Sequence, residues 1–443
     1  MYKSSLAVAV ALGVFAQTAG AAGFVEDSKL SLSSRTMYFN NDNRDGGNDN
    51  RESGQGFKLD YISGFTPGTV GFGVDAQALW GIHLDGGRGK HPDNSSFFPS
   101  DSDGSAVDQW TRFGANAKAR FSKTEVHFGS ALAPNLPILV SNDGRLLPQT
   151  FEGGTIQSKE IDNLTVNAGQ LTHAMGRASS NRTGLSVAGA TADSNKFRFG
   201  GLDYKLTPDL TLQYYYSNLE DFYKQHFLGA THVFKIADDQ SFKTDLRYFD
   251  SSSDGNNGHG GGYNFNNNGG YAKNTGKVDN KTWSAMFTYT LGGHALMLGR
   301  QQVSDDGGFV WLNQGSVVDG NGRNEGAGGS SFYLFTDSMI NQFARAGENT
   351  NFGQYSYDFA SLGVPGLKAS VAYLRGDDIR YKSGHGTYNE WERDARVDYT
   401  IQQGTLKGLG FSLRQGVYRG GSNEASADQD QTRFIVNYTY SFL

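Results

Sequence analysis

The sequence predicts an all-β chain that closes into a transmembrane antiparallel up-and-down β-barrel of 18 strands, with short periplasmic turns and long extracellular loops. Three observations carry this. The stretch 431–442 alternates Phe434, Val436, Tyr438, Tyr440 and Phe442 with Arg433, Asn437, Thr439 and Ser441, and only Ile435 is out of step. A period of two over that length makes a strand with one lipid face and one wet face, able to cross a membrane. Composition agrees, because 60 Gly, 30 Phe and 22 Tyr against 8 Pro and 6 Met favour strands, turns and aromatic girdles over helices. Finally, short turns and long polar insertions take turns along the chain, which is hairpin order.

The bulk properties exclude other classes. The mean hydropathy of −0.51 is that of a polar chain, yet a barrel reaches it because only alternate residues meet lipid. No apolar run is long enough for a membrane helix. Cysteine is absent, which removes disulfides, thiolate nucleophiles and Cys-based metal sites, and a net charge of −6 gives no support to nucleic-acid binding. Lys3, the apolar run Leu6 to Phe15 and the small residues up to Ala22 predict a secretory signal peptide over 1–22. The expected mature chain, 23–443, is then one barrel domain exported to the bacterial outer membrane.

In chain order, tight turns are expected near 64–68, 122–123, 160–162, 206–209, 237–239, 291–294, 361–367 and 404–408. Longer insertions are expected near 40–54, 85–108, 131–150, 173–194, 217–223, 250–279, 303–350, 376–391 and 419–430. Leu185 to Thr191 could add a further strand, but an even strand number assigns it to the fourth insertion. Faces are legible in several strands. Val70, Phe72, Val74, Ala76, Ala78 and Trp80 point to lipid and leave Asp75 and Gln77 inside; Phe242, Leu246 and Tyr248 oppose Lys243, Asp245 and Arg247. The Gly- and Asn-rich stretches Ser251 to Asn268 and Gly320 to Gly329 have loop composition and no phosphate-cradling context.

A bore of this size is too wide for side chains to fill, so it stays aqueous unless loops narrow it. The insertion 131–150 is the candidate: Pro134, Leu136, Pro137, Ile138, Leu139 and Val140 are unusually apolar for a surface loop, and folding inward hides them from water. Packing on other outer loops is the alternative. Parity places Arg112, Lys118 and Arg120 inside, with Arg414 and Arg433, and also Arg35, Lys58, Lys243, Arg247 and Arg396. Fixed cations along a narrow path favour anions, and Arg forks suit carboxylates. Asp60, Asp75, Asp245 and Asp398 share those faces, so paired wall residues are the competing account.

The segment Ser63-Gly-Phe-Thr-Pro-Gly-Thr-Val-Gly-Phe-Gly-Val-Asp-Ala76 resembles the OprD family of outer-membrane porins, particularly its OprE branch. The motifs Tyr38-Phe-Asn40, Ser122-Lys-Thr124, Gly144-Arg-Leu-Leu-Pro-Gln-Thr150 and Ser361-Leu-Gly-Val-Pro-Gly-Leu367 carry the same resemblance. It implies a substrate-selective channel passing small anionic or zwitterionic carboxylates, such as basic amino acids or aromatic acids, by passive diffusion. It also implies an inward-folded third loop, in which Asp143 and Arg145 are the charged positions, and a ladder of basic wall residues matched here by Arg414 and Arg433. Ser412, Ala372 and Asn41 stand where the resemblance expects basic residues, so the ladder is sparser.

No catalytic, cofactor or metal constellation is legible. The nine His share no repeated face, and Asp101 to Asp108 lacks the calcium-loop ligand pattern. A barrel-embedded hydrolase and a structural or adhesion barrel with a closed lumen are the rival readings. Expected partners are carboxylate solutes, outer-membrane lipid and lipopolysaccharide, with no nucleic acid; monomer and homotrimer both stay open.

Overall fold

The fold follows from one rule of hydrocarbon: every backbone N–H and C=O inside the bilayer needs a protein partner, which strands obtain only by closing on themselves. A computed structural model describes residues 23–86, 89–92, 95–314 and 329–443. The expected signal segment 1–22 lies outside the described residues, as does the Gly-rich stretch from Gly320 through position 328.

The described residues form an 18-stranded antiparallel sheet. Its first third runs β1 (Lys29–Asn43), β2 (Asn50–Ile62), β3 (Val70–Asp85), β4 (Gln109–Phe121), β5 (Thr124–Leu132) and β6 (Thr150–Ser158). Then come β7 (Leu164–Met175), β8 (Phe197–Thr207), β9 (Leu210–Leu219), β10 (Tyr223–Ala237), β11 (Gln240–Ser253) and β12 (Asp279–Leu291). The last are β13 (His294–Val303), β14 (Asn349–Asp358), β15 (Leu367–Arg380), β16 (Thr387–Thr400), β17 (Gly410–Gly420) and β18 (Gln429–Ser441). Each pairs with its neighbours in sequence, and β18 closes the tube on β1 from Ser31↔Ser441 to Asn43↔Gln429.

The turns fall where expected, but several loops are shorter. The first is 44–49 instead of 40–54, the fifth is 220–222 instead of 217–223, and the eighth is 381–386 instead of 376–391. Polar composition hid strand there, because above the membrane the ladder needs no apolar face; Asn40↔Arg51 and Asn41↔Asn50 still pair. Leu185–Ser186 does lie in the fourth loop, where it pairs with Asn313–Gln314 of the seventh, apart from the barrel.

The outer wall exposes Phe72, Val74, Trp80, Phe113, Leu413 and Phe434, all on the expected parity, and also Phe128, Leu228 and Leu298. Ile435, the residue out of step in β18, is only 6 % exposed and packs inside the bore with Met37, Phe39, Leu146 and Leu147. Its greasiness serves the folded-in loops.

The Ser63 to Ala76 motif also gains a physical reason. Ser63 Oγ accepts from the Val74 N–H at 2.8 Å, and Gly64 N–H donates to Phe24 O at 2.9 Å. A Cβ on Gly64 would overlap the Gly23 carbonyl oxygen, so the start of the barrel seats against this turn only through glycine. Gly64→Val is expected to cost about 1–3 kcal/mol and to lower the fraction of heat-modifiable, folded barrel on a semi-native gel, whereas Gly200→Ala, which meets open space without a positive φ, is expected to lower it less.

Candidate channel and its constriction

The third loop (133–149) folds into the tube. Its tip is a small hairpin, Asn135–Leu136 against Leu139–Val140. Leu146 and Leu147 are buried against Met37, Phe39 and Leu79 of the inner wall, together with Phe97 and Phe98 of the second loop (86–108). Gly56 makes this approach possible, since a Cβ there would stand 3.0 Å from Leu146 O and 3.1 Å from Leu147 Cδ2. Burying the two Leu side chains contributes about 1.5–3 kcal/mol each.

Polar contacts fix the other edge. Arg35 on β1 donates to Asp143 Oδ1 at 2.8 Å, to Asp143 Oδ2 at 3.0 Å and to Arg145 O at 2.6 Å. The loop is also stitched to the seventh loop (304–348) by Ser331 N–H donating to Val140 O at 2.9 Å and Asn142 Nδ2 donating to Gly329 O at 3.2 Å. A cavity of about 580 Å3 opens between loop and wall, lined by Arg35, Lys58, Gln77 and Asn437 on one side and Pro134, Asn135, Ser141 and Asp143 on the other. Pro137 and Ile138, read from sequence as residues that an inward fold hides from water, are buried, Ile138 in a core with Leu132, Phe151, Phe199 and Phe227, whereas Pro134, read the same way, lines the cavity. Pro137, Ile138 and Leu139 of the inward loop are hidden, and Pro134 meets the cavity with the polar Asn135, Ser141 and Asp143.

The seventh loop approaches from the far side. Three inward carboxylates of β16 hold it: Glu392 accepts from the Ile340 and Asn341 N–H groups at 2.8 Å each, Asp394 accepts from Met339 N–H at 3.3 Å, and Glu390 pairs with Arg345 at 2.6 Å. Between this loop and β14 to β18 lies a second cavity of about 430 Å3, lined by Arg396, Arg414, Arg433, Asp337, Asp394 and Gln354.

The basic residues named from sequence divide into two groups. Lys118 is bridged to Asp75 at 2.6 Å, Arg247 to Asp245 at 2.7 Å, Lys58 to Asp60 at 2.8 Å, Lys243 to Asp245 at 3.4 Å, Arg396 to Asp398 at 2.5 Å and Arg35 to Asp143. Arg112, Arg120, Arg145, Arg414 and Arg433 have no salt bridge among the described residues. Arg112, read as lumen-lining, is 5 % exposed and lies beneath the loops, donating to Pro148 O, Met175 O and Gly176 O. Arg433 donates to Gln431 and to Met339 O, and Arg414 Nε to Ser412 Oγ at 3.0 Å. Arg120 sits near the periplasmic mouth, 4.3 Å over the Phe65 ring.

Arg145, half-buried in the bore, has its guanidinium pushed well below the ordinary Arg range by burial and then by Arg433 and Arg177. Arg177 in the fourth loop (176–196), which parity could not reach, is pushed down to about 10 by burial and donates to Asn142 Oδ1 at 3.1 Å. Burial holds the Asp337 carboxyl above its ordinary range against the pull of Arg177 and Arg145. Glu390, Glu392 and Asp394 of β16 were missed from sequence, although parity reaches them, since Trp391, Val397 and Tyr399 mark the opposite face.

Comparison with known proteins agrees with this geometry. The model of the OprD family, outer membrane porins, matches residues 22–442. The chain belongs to the OprD family. It is 35 % identical to Porin D of Pseudomonas aeruginosa over 98 % of this chain and 96 % of that one. To the porin-like protein GalP of Pseudomonas putida it is 31 % identical, over 96 % and 94 %. The crystal structure of P. aeruginosa OccK8 (OprE) superposes with a TM-score of 0.84 at 46 % identity, covering 95 % of this chain and all of that one. P. aeruginosa OpdK, crystallised with vanillate, superposes at 0.81 and 33 % identity, over 95 % and 100 %. This OprD-family porin is therefore an outer-membrane, substrate-specific channel.

Because Arg35 carries the polar hold on the third loop, Arg35→Ala is expected to weaken that anchorage by about 1–3 kcal/mol. Single-channel recordings should show a larger mean conductance with added open-state noise; traces identical to those of the parent would assign the hold to Leu146 and Leu147 and to the hydrogen bonds from the seventh loop, without Arg35.

Proposed function

We propose that the channel passes small carboxylate-bearing solutes by passive diffusion, with the third loop as its constriction and the unpaired guanidinium groups as its selectivity element. The observation that carries this is the clustering of Arg145, Arg414 and Arg433 in the bore without a salt bridge among the described residues, while other inward cations such as Lys118 and Arg247 are bridged to carboxylates. A guanidinium whose acceptors are carbonyl, hydroxyl and amide oxygens keeps its charge to offer to a passing carboxylate. Asp337 and Asp394 line the second cavity together with Arg414 and Arg433. That arrangement suits a solute carrying an ammonium group as well, and the vanillate in the OpdK relative, an aromatic carboxylate, is consistent with the anionic arm.

The test is selectivity in planar bilayers. Anions should be favoured over cations at low salt, and the bias should fade as ionic strength screens the wall. Arg414→Gln combined with Arg433→Gln should reduce the bias; an unchanged reversal potential would remove both residues from the mechanism.

The bias should also depend on pH. Asp337 has its carboxyl raised above the ordinary range, so it is neutral below that raised value and negative above it. Lowering the pH therefore removes a negative charge beside the guanidinium groups, and the anion preference should rise. Asp337→Asn should reduce the part of that rise lying above the ordinary carboxylate range, which reversal-potential titration reads directly.

A further inference from the structure

The outer wall holds a feature that solute passage does not use. On β15 and β16 the lipid-facing parity carries Val371, Tyr373, Val397 and Tyr399, all exposed, while Ala372, Leu374 and Glu392 turn inward and are buried. The same outward parity carries Arg375 and Arg393. The strand register sets Arg375 opposite Trp391 and Tyr373 opposite Arg393. The Tyr373 and Trp391 rings stack along one diagonal of this rectangle, with centroids 6.0 Å apart and planes at 29°. The two guanidinium groups occupy the other diagonal. One strand further, Asn351 stands opposite Arg375, and Arg300 stands opposite Asn351.

Of these cations Arg375 is bridged to a carboxylate, and Arg300 and Arg393 are in no salt bridge among the described residues. Arg375 donates to Asp377 at 3.0 and 3.2 Å, and Arg300 donates to Asn351 at 3.4 Å. Arg393 is exposed and makes neither hydrogen bond nor ion pair among the described residues. A charge on the lipid face is disfavoured, increasingly so with depth, unless something anionic meets it. Trp391 marks the interfacial level at the extracellular end of these strands, since the loop 381–386 lies above and the turn 401–409 below.

We propose that Arg375 and Arg393, bracketing the Tyr373–Trp391 stack, form a binding site for the phosphate groups of an outer-leaflet phosphoglycolipid, with Arg300 as a further contact. Two planar forks on one diagonal can grip phosphate oxygens from both sides, and the stacked rings offer a sugar or acyl surface between them. The chain as a whole is acidic, so attraction for an anionic lipid has to be local. A second copy of the chain fits this patch poorly, because a two-fold contact through it would set these guanidinium groups against their own equivalents.

The experiment uses the full mature chain in detergent, titrated with bis-phosphorylated lipid A and separately with dephosphorylated lipid A, with lipid adducts counted by native mass spectrometry. The parent should hold the phosphorylated lipid about tenfold more tightly than the dephosphorylated one. Arg375→Gln with Arg393→Gln should abolish that difference while leaving heat modifiability and single-channel conductance unchanged, which separates loss of the site from loss of the fold. Arg393→Lys, which keeps the charge and loses the fork, should fall between. Equal retention of both lipids by the parent, or undiminished discrimination in the double variant, would overturn the proposal. So would a change in oligomeric state without a change in lipid retention, which would make the patch a contact between copies.

Discussion

Satisfaction of the backbone in hydrocarbon is the constraint from which the rest follows. It forbids an open edge, so β18 must meet β1, and every strand must pair on both sides. A closed sheet in turn divides each strand into two chemical populations, because successive side chains face opposite ways. Lipid takes one parity and the bore takes the other. An acidic, hydropathically polar chain can therefore be a membrane protein, and a row of Arg side chains can stand a strand's thickness from the acyl chains.

The bore then presents its own problem. A tube of this circumference encloses more space than wall side chains can fill, so long loops turn inward and bring their own apolar residues. These need inner-wall surface to pack on, which explains the inward Met37, Phe39, Leu79 and Ile435 beneath the second and third loops and the aromatic wall of Phe199, Tyr215, Phe227 and Phe249 beneath the fourth and seventh. Glycine serves the same end, as at Gly56, where backbone must come close to backbone. The channel is what the inward loops leave open.

The barrel was legible in the sequence because lipid imposes a strict period on one face, and nothing in the polar interior can erase that signal. Strand ends above the membrane were not legible, since no apolar face is demanded there and Asn40 or Arg51 reads as loop. Within the site, parity placed wall residues such as Arg414 and Arg433 on the inner face but had no purchase on loops. Arg177 was invisible for that reason, and the division of the third loop into a hidden side, Pro137 and Ile138, and a wet side, Pro134 and Asp143, needed the fold of the loop itself. Ile435 is the instructive residue: what looked like an error in the pattern reports a contact with a loop some three hundred residues away in sequence.

Pairing also decides how strongly the bore can act on a solute. A unit charge pair at 4 Å is worth roughly 4 kcal/mol at an effective dielectric of about 20, and roughly 1 kcal/mol in bulk water. Cations already bridged to wall carboxylates, such as Lys118 and Arg247, offer little of this to a solute, and serve to keep the wall polar and rigid. Too many unbridged guanidinium groups in line would hold a carboxylate so tightly that it could not leave, and conduction requires weak successive sites. On the reading proposed for this channel, Ser412 beside Arg414 is then no defect: its hydroxyl accepts from the Arg414 Nε and spaces the charges, so that one guanidinium hands the solute to the next instead of trapping it.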